Sequence, residues 1–411
     1  MLTQGLASLA SGSDRTALST PGVRLVTEPA QDRLVTPLFL LITFSGLAYF
    51  MAIGSLLPVL PRYVEDNLNG SGLEVGLVIG AFAVSAAIVR PTVGRLGDLV
   101  GRRTMAVGGA AIAAVSIIPL GLVQAVWFLI LLRLVTGLGE AGFFVGAATA
   151  AQDLAPPDRR GEAASFFSTA IYGGLALGPV AGEYLYHHVG PGANWVFAAG
   201  ACALSTLLAT FIPRDLGRVD HPPPRRGLIH PAAILPGTVL LMGLFGFAGY
   251  AAFVPLYVDQ IGLEDAGPFF LAYGIIVLAV RIFGARVPDR LGPVRASSIA
   301  LMCIAAGIGT VAVVASVAGL WIGTVFLAIG MSLLFPALFT VAITNAPDDE
   351  RSHTVGSFSL FFDLSQGLGA PILGVIVTLT GAERPAFLAA ALVALAGLVI
   401  TNTRLRAAVA V

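Results

Sequence analysis

The sequence predicts an all-α, multi-pass membrane protein with twelve transmembrane helices in two pseudo-symmetric six-helix halves. Three observations support this prediction: the composition, the number of long apolar runs, and an internal repeat. Of the 411 residues, 56% are hydrophobic and only 11% are charged, and the mean hydropathy is +0.89. Soluble domains have about a quarter of their residues charged. The surface of this chain is therefore suited to lipid rather than to water.

Twelve segments are long and apolar enough to cross a bilayer, which takes about 20 residues of helix. The first six lie at 36–60, 73–93, 104–123, 126–150, 162–186 and 194–213. The second six lie at 236–258, 267–288, 296–316, 319–344, 354–379 and 384–403.

Polar segments divide these runs into domains. Residues 1–34 lack the apolar core of a signal peptide, so we expect a disordered cytoplasmic tail, with an organelle transit peptide as the less favoured alternative. Residues 35–213 form the first half and residues 234–403 the second. The segment 214–233 contains three consecutive prolines and is predicted to be a cytoplasmic linker. Residues 404–411 are expected to form a short cytoplasmic C-terminal tail.

The arginines predict the orientation. The chain has 23 arginines and no lysine. With the N-terminus inside, the inner loops and tails hold all of them except Arg62, Arg133 and Arg384. We therefore expect a plasma or inner membrane protein with both termini in the cytoplasm.

Several classes of partner and chemistry are not expected. The net charge is zero, so nothing indicates nucleic-acid binding. Both cysteines, Cys202 and Cys303, lie in apolar runs and indicate neither a disulfide nor a metal site. A chain without lysine has no P-loop, and no HExxH or G-x-S-x-G marks an enzyme. No cofactor is expected, and the protein is expected to be a monomer in contact with membrane lipid.

The second half repeats the first in the same direction. Four residues that join the second span to the third recur 191 positions later: Arg90, Arg95, Asp98 and Gly101 match Arg281, Arg286, Asp289 and Gly292. Further matches at spacings of 191 to 194 follow in the same order. Such a repeat predicts two like-oriented halves related by an axis along the membrane normal.

Three motifs resemble those of the major facilitator superfamily. The stretch 90–103, expected to be a short inner loop, is similar to its loop 2–3 signature G-x-L-x-D-x-x-G-R-R. The matching residues are Gly94, Leu96, Asp98, Gly101, Arg102 and Arg103, with Leu99 where a basic residue is common. Span four resembles the R-x-x-x-G pattern through Arg133 and Gly137. Span five resembles the G-x-x-x-G-P-x-x-G-G pattern of proton-coupled exporters through Gly174, Gly178, Pro179 and Gly182, with Glu183 in place of the last glycine.

The loop motif is expected to act as an inner gate. Gly94 and Gly101 permit tight turning. The resemblance implies that Asp98 meets the N-terminus of span eleven, where a carboxylate is stabilised by free amides. Arg102 and Arg103 would then bridge to loop carboxylates or to lipid headgroups. Asp289 is the second copy of this aspartate. The alternative is that the charges only set the topology.

Two acids, Glu140 and Asp363, lie near the middle of predicted spans, and Arg133 lies within span four; ionised groups there are costly and usually functional. Arg133 and Glu140 of span four share a helix face but are about 10 Å apart along it, so each should have a different partner. Glu140 and Asp363, one in each half, are candidate proton-coupling or substrate-binding residues, with a structural hydrogen-bonding role as the alternative. Glu183 is expected in a hydrated outer vestibule.

Gly174, Gly178 and Gly182 recur every four residues and should form one small face that packs closely on another helix. In the exporters that this motif resembles, such packing would seal the cavity against proton leak. The leading hypothesis is a secondary active transporter that couples proton entry to efflux of a small amphipathic organic compound by alternating access. The alternatives are an uptake symporter or uniporter, and a membrane sensor that does not transport.

Overall fold

A computed structural model describes residues 34–156, 159–214, 216, 227, 229–284, 287–347 and 351–409. The predicted N-terminal tail, apart from Leu34, lies outside these residues, as does most of the predicted linker.

The described residues form twelve long helices. They are α1 (Pro37–Arg62), α2 (Gly72–Val100), α3 (Arg102–Ile117), α4 (Val126–Asp153), α5 (Arg160–His188), α6 (Pro191–Ala209), α7 (Pro231–Gln260), α8 (Gly267–Phe283), α9 (Pro293–Val313), α10 (Val317–Thr344), α11 (Arg351–Thr380) and α12 (Arg384–Ile400). A short helix, Val287–Leu291, follows α8. Eleven of the twelve are long and apolar enough to cross a membrane, and α8 is an apolar helix of 17 residues.

Successive helices run in opposite directions. We call the end of the bundle where α1 begins and α2 finishes the linker end, because Arg214 also lies there. The opposite end, where α1 finishes and α2 begins, is the far end. Polar side chains cap the N-termini of several helices. The Thr36 hydroxyl accepts a hydrogen bond from the Phe39 amide at 3.2 Å, and Ser71 forms a capping box with Glu74.

The same pairs of helices pack together in both halves. In the first half α1 contacts α5 and α6, α3 contacts α4 and α6, and α2 contacts α4. The second half repeats these contacts six helices later along the chain. The repeated glycines also match, since Gly101 has φ 88° and Gly292 has φ 76°. The predicted all-α fold of two like-oriented six-helix halves is therefore confirmed.

The halves meet along α2 with α11, α5 with α8, and α1 with α7. Toward the far end these contacts are close, because Gly76 and Gly80 of α2 lie directly against α11 and Gly274 of α8 lies against Ala176. On the linker side of Tyr172, a cavity of about 630 Å³ opens between α5, α8 and α10. Among the described residues, the halves are therefore in close contact toward the far end and are separated by a cavity toward the linker end.

Three boundaries differ from the prediction. The stretch 90–103 is not a loop: α2 continues to Val100, because the first residue with a non-helical conformation is Gly101 at φ 88°. The linker ends before 233, since His230 caps α7 and Pro231 begins it. The predicted C-terminal tail is helical as far as Val409.

Candidate functional site

Arg90 of α2 lies between two carboxylates that come from different halves. Its Nη2 donates to Oδ1 of Asp363 at 3.0 Å and to Oε2 of Glu140 at 3.3 Å. Its Nε also lies 2.5 Å from Oδ2 of Asp363. The Arg90 side chain is 14% exposed and each acid is 9% exposed. These three residues form one buried ionic group, which we call the Arg90 cluster.

Three helices position the Arg90 cluster. Glu140 lies about 20 Å from the linker end of α4, and Asp363 lies about 18 Å from the linker end of α11. Arg90 reaches both from α2, and its guanidinium lies 5.2 Å from the ring centroid of Phe144, one turn beyond Glu140. The bond to Glu140 stays within the first half, and the bond to Asp363 crosses to the second.

The charges of the Arg90 cluster do not balance. With every group ionised it has one positive and two negative charges. A buried charge without a counterion costs several kcal/mol, so the fully ionised cluster is unfavourable. Uptake of one proton by either carboxylate would make it neutral. The arrangement can therefore hold and release a proton next to a contact between the halves.

Arg133 lies apart from the Arg90 cluster. Its Nε donates to the carbonyl oxygen of Val78 at 3.3 Å, and its guanidinium lies 4.6 Å from the ring centroid of Phe82. Both partners belong to α2, so Arg133 ties α4 to α2 within the first half. As expected from their spacing, Arg133 and Glu140 have different partners.

The arginine that matches Arg90 in the repeat has a different environment. Arg281 of α8 donates from Nη2 to the hydroxyl of Tyr172 in α5 at 2.7 Å, and its guanidinium lies 4.3 Å from the Tyr172 ring centroid. Both residues line the 630 Å³ cavity and a second cavity of about 70 Å³ between α5, α7 and α8.

The predicted inner gate is only partly within the described structure. The side chains of Gly94, Asp98 and Asp289 lie outside it. Gly101 makes the turn between α2 and α3 at φ 88°. Beside it, Arg102 pairs with Asp153 at the end of α4, with Nε 3.1 Å from Oδ2, and Arg103 is half-buried.

The glycines of span five form one face, as predicted. A Cβ atom on Gly174, Gly178 or Gly182 would meet the backbone of α1. Pro179 also lies against α1, near Gly54. The motif therefore sets the spacing between α5 and α1.

Glu183 is not in a hydrated vestibule. It is 2% exposed, and it accepts hydrogen bonds from the amides of Ala266, at 2.7 Å, and Gly267. These amides begin α8, where a carboxylate is stabilised by unpaired N–H groups and the helix dipole. The prediction failed because a helix N-terminus of the other half supplies the hydrogen bonds that water was expected to supply.

Other polar contacts join the halves at the far end. Nη2 of Arg62 lies 3.1 Å from Oδ1 of Asp259 and donates to the carbonyl of Glu264 at 2.6 Å. His187 lies 3.3 Å from Asp265. Within the second half, Gln260 donates to Glu383, whose pKa is raised by burial.

Two residues of the site were missed in the sequence, Arg90 and Arg281. The sequence places Arg90 in a predicted loop because arginines follow it closely in the stretch 90–103. A signal was nevertheless present: each arginine ends an apolar run, and the two are 191 positions apart.

Twelve helices in two repeated halves, with ionic groups buried where the halves meet, define a polytopic membrane transporter. The chain belongs to the Major Facilitator Superfamily, whose sequence pattern matches residues 42–370. It is therefore a multi-pass membrane protein with a small-molecule substrate, and it is not an enzyme.

The chain is similar to bacterial proteins of this family. It is 29% identical over 375 residues to the uncharacterized MFS-type transporter STM4428 of Salmonella typhimurium, which covers 87% of this chain and 94% of that protein. It is 27% identical over 385 residues to the uncharacterized MFS-type transporter YhhS of Escherichia coli K12, covering 90% and 94%. Its fold is similar to that of a bacterial homolog of the human lysosomal transporter Spinster in an inward-facing and occupied conformation. That match has a TM-score of 0.71 and 17% identity, and it covers 90% of this chain and 96% of the other.

Proposed function

We propose that the protein is a proton-coupled efflux carrier, an antiporter that exports a small amphipathic organic compound by alternating access. The observation that carries this proposal is the Arg90 cluster, in which one cation is shared by an acid of each half. A proton that binds there acts directly on a contact that must change when the halves rock.

The proton step follows from the charges. When Asp363 is ionised, its attraction to Arg90 holds α11 against α2. When Asp363 is protonated that attraction weakens, and Glu140 alone neutralises Arg90. Protonation therefore favours separation of α11 from α2, while the α2–α4 contact is kept. Arg133, which ties α4 to α2, would keep these two helices moving as one body.

The character of the substrate follows from the cavities. The walls of the cavity between α5, α8 and α10 are mainly aromatic and aliphatic, with Tyr172, Phe335 and Phe339 among them. Pockets of about 300–1,000 Å³ with apolar walls and a few polar groups hold drug-sized organic molecules. The volume of about 630 Å³ fits an amphipathic solute of that size.

Orientation and direction are parts of the same proposal. The arginine-rich linker end faces the cytoplasm by the positive-inside rule, in the plasma or inner membrane. The cavity then opens to the cytoplasm, where an exported compound would enter. The close packing of Gly174, Gly178 and Gly182 on α1 supports efflux, because it is the packing that the exporter-like motif implies.

The inner gate remains a proposal from the sequence. We assign to Asp98, with Gly94, Gly101, Arg102 and Arg103, a latch that pins the linker end when the far end opens, with Asp289 as a weaker second copy. Slower cycling of Asp98→Asn, with insertion unchanged, is its expected signature.

The test uses the purified full-length protein in liposomes with a pH gradient of either polarity. The probes are 1-naphthoate, its neutral amide 1-naphthamide, and 1-naphthylmethylammonium. Accumulation against the gradient, and counterflow without a gradient, are measured for each. Efflux by proton antiport predicts that protons and solute move in opposite directions, whereas uptake symport predicts the same direction. Binding without flux of any probe would indicate a sensor.

Asp363→Asn keeps the shape of the side chain but removes its proton exchange. We expect it to retain counterflow and to lose accumulation driven by pH, and Glu140→Gln to lose the same accumulation. Asp66→Asn makes the same change at an exposed far-end residue and should behave as the parent. If both activities survive in Asp363→Asn, protons do not couple through it. If both vanish in a folded protein, Asp363 binds solute or holds α11 instead.

A further inference from the structure

We infer that Arg281 and Tyr172 form an anion-binding subsite, so that the transported compound carries a carboxylate or a similar acidic group on an apolar body. This inference rests on the proposed transport function and names its substrate class. It starts from the position of Arg281, which lines both cavities between the halves. Among the described residues that line them, Arg281 is the charged one.

Arg281 has no acidic partner within the described part of the chain. Its Nη2 donates to the Tyr172 hydroxyl at 2.7 Å, and its guanidinium carbon lies 4.3 Å from the Tyr172 ring centroid. Its Nε is buried and has no hydrogen-bond acceptor. A guanidinium in an apolar cavity needs a counterion or further acceptors to offset its lost hydration. The described residues that line the cavity provide neither, so we assign the missing partner to a group of the ligand.

The internal repeat shows which partner Arg281 lacks. The spacing of 191 that relates Arg90 to Arg281 also relates Tyr172 to Asp363. Where α2 meets α11, the arginine faces an aspartate; where α8 meets α5, it faces a tyrosine. We call these two contacts between the halves the α2–α11 crossing and the α5–α8 crossing. The α5–α8 crossing therefore keeps the arginine of the α2–α11 crossing but has a neutral hydroxyl in place of the acid. An external anion at Arg281 would restore the pairing that Asp363 provides to Arg90.

The surroundings define the rest of the ligand. The Tyr172 oxygen accepts from Arg281, which leaves its own O–H hydrogen free to donate to the same anion. A planar guanidinium suits carboxylate and phosphonate oxygens, which it can bind with two parallel hydrogen bonds. Stacked rings provide the apolar wall: Phe247 and Tyr273 have centroids 5.0 Å apart, and Phe335 and Phe339 have centroids 5.7 Å apart. The geometry points to an aromatic or aliphatic organic acid.

The test is equilibrium dialysis of the purified full-length protein, without a pH gradient, against matched pairs of probes. Each pair is an aromatic acid and its neutral amide, beginning with 1-naphthoate and 1-naphthamide. We expect the acid to bind at least tenfold more tightly than the amide. Arg281→Gln should abolish that preference and Arg281→Lys should keep part of it, while Arg290→Gln, at an exposed arginine of the linker end, should leave it unchanged.

A second variant guards against loss of folding in Arg281→Gln. Tyr172→Glu places an internal acid opposite Arg281, as Asp363 is placed opposite Arg90. It should fold at least as well as the parent and lose its preference for the acid probes. An equal affinity for acid and amide in every pair, or a preference that survives both variants, overturns the assignment.

The outcomes also separate this inference from the proposed function. A preference for acids that depends on Arg281, without any proton-driven flux in liposomes, would leave the anion subsite standing and refute the coupling. Proton-driven flux of the neutral or cationic probe, with no preference for the acid, would support the coupling and refute the subsite.

Discussion

Arg90 makes a contact that no other side chain could replace. An arginine presents several N–H groups in one plane, and here that plane serves Glu140 and Asp363 at once. A lysine would provide a single charged nitrogen for two acids on different helices. The residue therefore links the two halves while it neutralises only one of two negative charges.

Removal of Arg90 should be more harmful than removal of Arg90 and Asp363 together. Arg90→Gln leaves two buried carboxylates without a cation, and breaking a buried pair in this way costs about 3–5 kcal/mol. We expect a clearly lower midpoint of thermal unfolding in detergent. The double variant Arg90→Gln, Asp363→Asn leaves one carboxylate in a neutral setting and should recover part of the loss. Equal midpoints for the single and double variants would show that the two residues are not coupled.

Sequence reasoning found the acids of the Arg90 cluster but not its cation. Glu140 and Asp363 are each the one acid of a long apolar run, so the cost of burying a carboxylate identifies them. Arg90 stands at the edge of such a run, beside a stretch whose arginines satisfy the positive-inside rule. Whether it belongs to that stretch or to the core depends on how far α2 extends, which hydropathy does not determine. Glu183 shows the same limit, since its partners belong to the other half.

At the scale of helices, the pairing of α5 with α1 depends on the absence of side chains. Gly174, Gly178 and Gly182 bring the two backbones together, and the contact continues over two turns of α5. Gly173, next to the first of them, points elsewhere: a Cβ atom there would lie 3.4 Å from the Leu47 side chain, an ordinary contact.

Two alanine substitutions in α5 should therefore have opposite effects. A Cβ atom on Gly178 would lie 2.7 Å from the Ser55 nitrogen of α1, and forcing atoms into a packed interface costs about 1–3 kcal/mol. Gly178→Ala should lower the unfolding midpoint and the yield of folded protein. Gly173→Ala gains up to about 1 kcal/mol of helix propensity and should leave the midpoint unchanged or raise it. A Gly178→Ala protein as stable as the parent would remove the structural basis given for this motif.

The number and direction of the helices, and their division into two like-oriented halves, were predictable because apolar length and the internal repeat are sequence properties. The ends of the helices were less predictable. The charged stretch 90–100 stays helical because no residue before Gly101 forces the backbone out of helical angles. The repeat predicts the equivalence of Gly101 and Gly292, but it does not show that their φ angles agree within about 12°.

At the scale of the whole molecule, closure of the far end depends on contacts between the halves. Glu183 accepts from the first amides of α8, Arg62 pairs with Asp259, and His187 lies beside Asp265. Of these, the Glu183 contact is the one with both partners buried, since Glu183 is 2% exposed and Ala266 is fully buried. Its loss should therefore affect closure more than the loss of an exposed pair.

Glu183→Gln should shift the protein toward states with the far end open. The amide keeps one acceptor oxygen but loses the charge that the start of α8 stabilises, about 1–2 kcal/mol, which is on the order of a tenfold change in population. Spin labels at Leu122 and Leu379, which are 79% and 80% exposed on opposite halves, would report the change as a longer distance after Cys202 and Cys303 are replaced. Glu264→Gln, at an exposed residue beside these far-end contacts, is the control. Identical distance distributions in the two variants would show that Glu183 does not hold the far end closed.

The α2–α11 and α5–α8 crossings carry unequal charges, and this difference makes the proposed transport sensitive to membrane voltage. With its acids ionised, the Arg90 cluster carries one surplus negative charge, and Arg281 carries one positive charge. Without a bound proton or ligand, the Arg90 cluster and Arg281 together have no net charge. A bound proton would make this sum positive, and a bound organic anion would make it negative. In the proposed exchange, the positive form would move inward and the negative form outward, and a membrane voltage that is negative inside would favour both steps. One proton exchanged for one monovalent anion would transfer two elementary charges per cycle, each worth about 2.3 kcal/mol per 100 mV. Voltage, as well as the pH difference, would then drive transport.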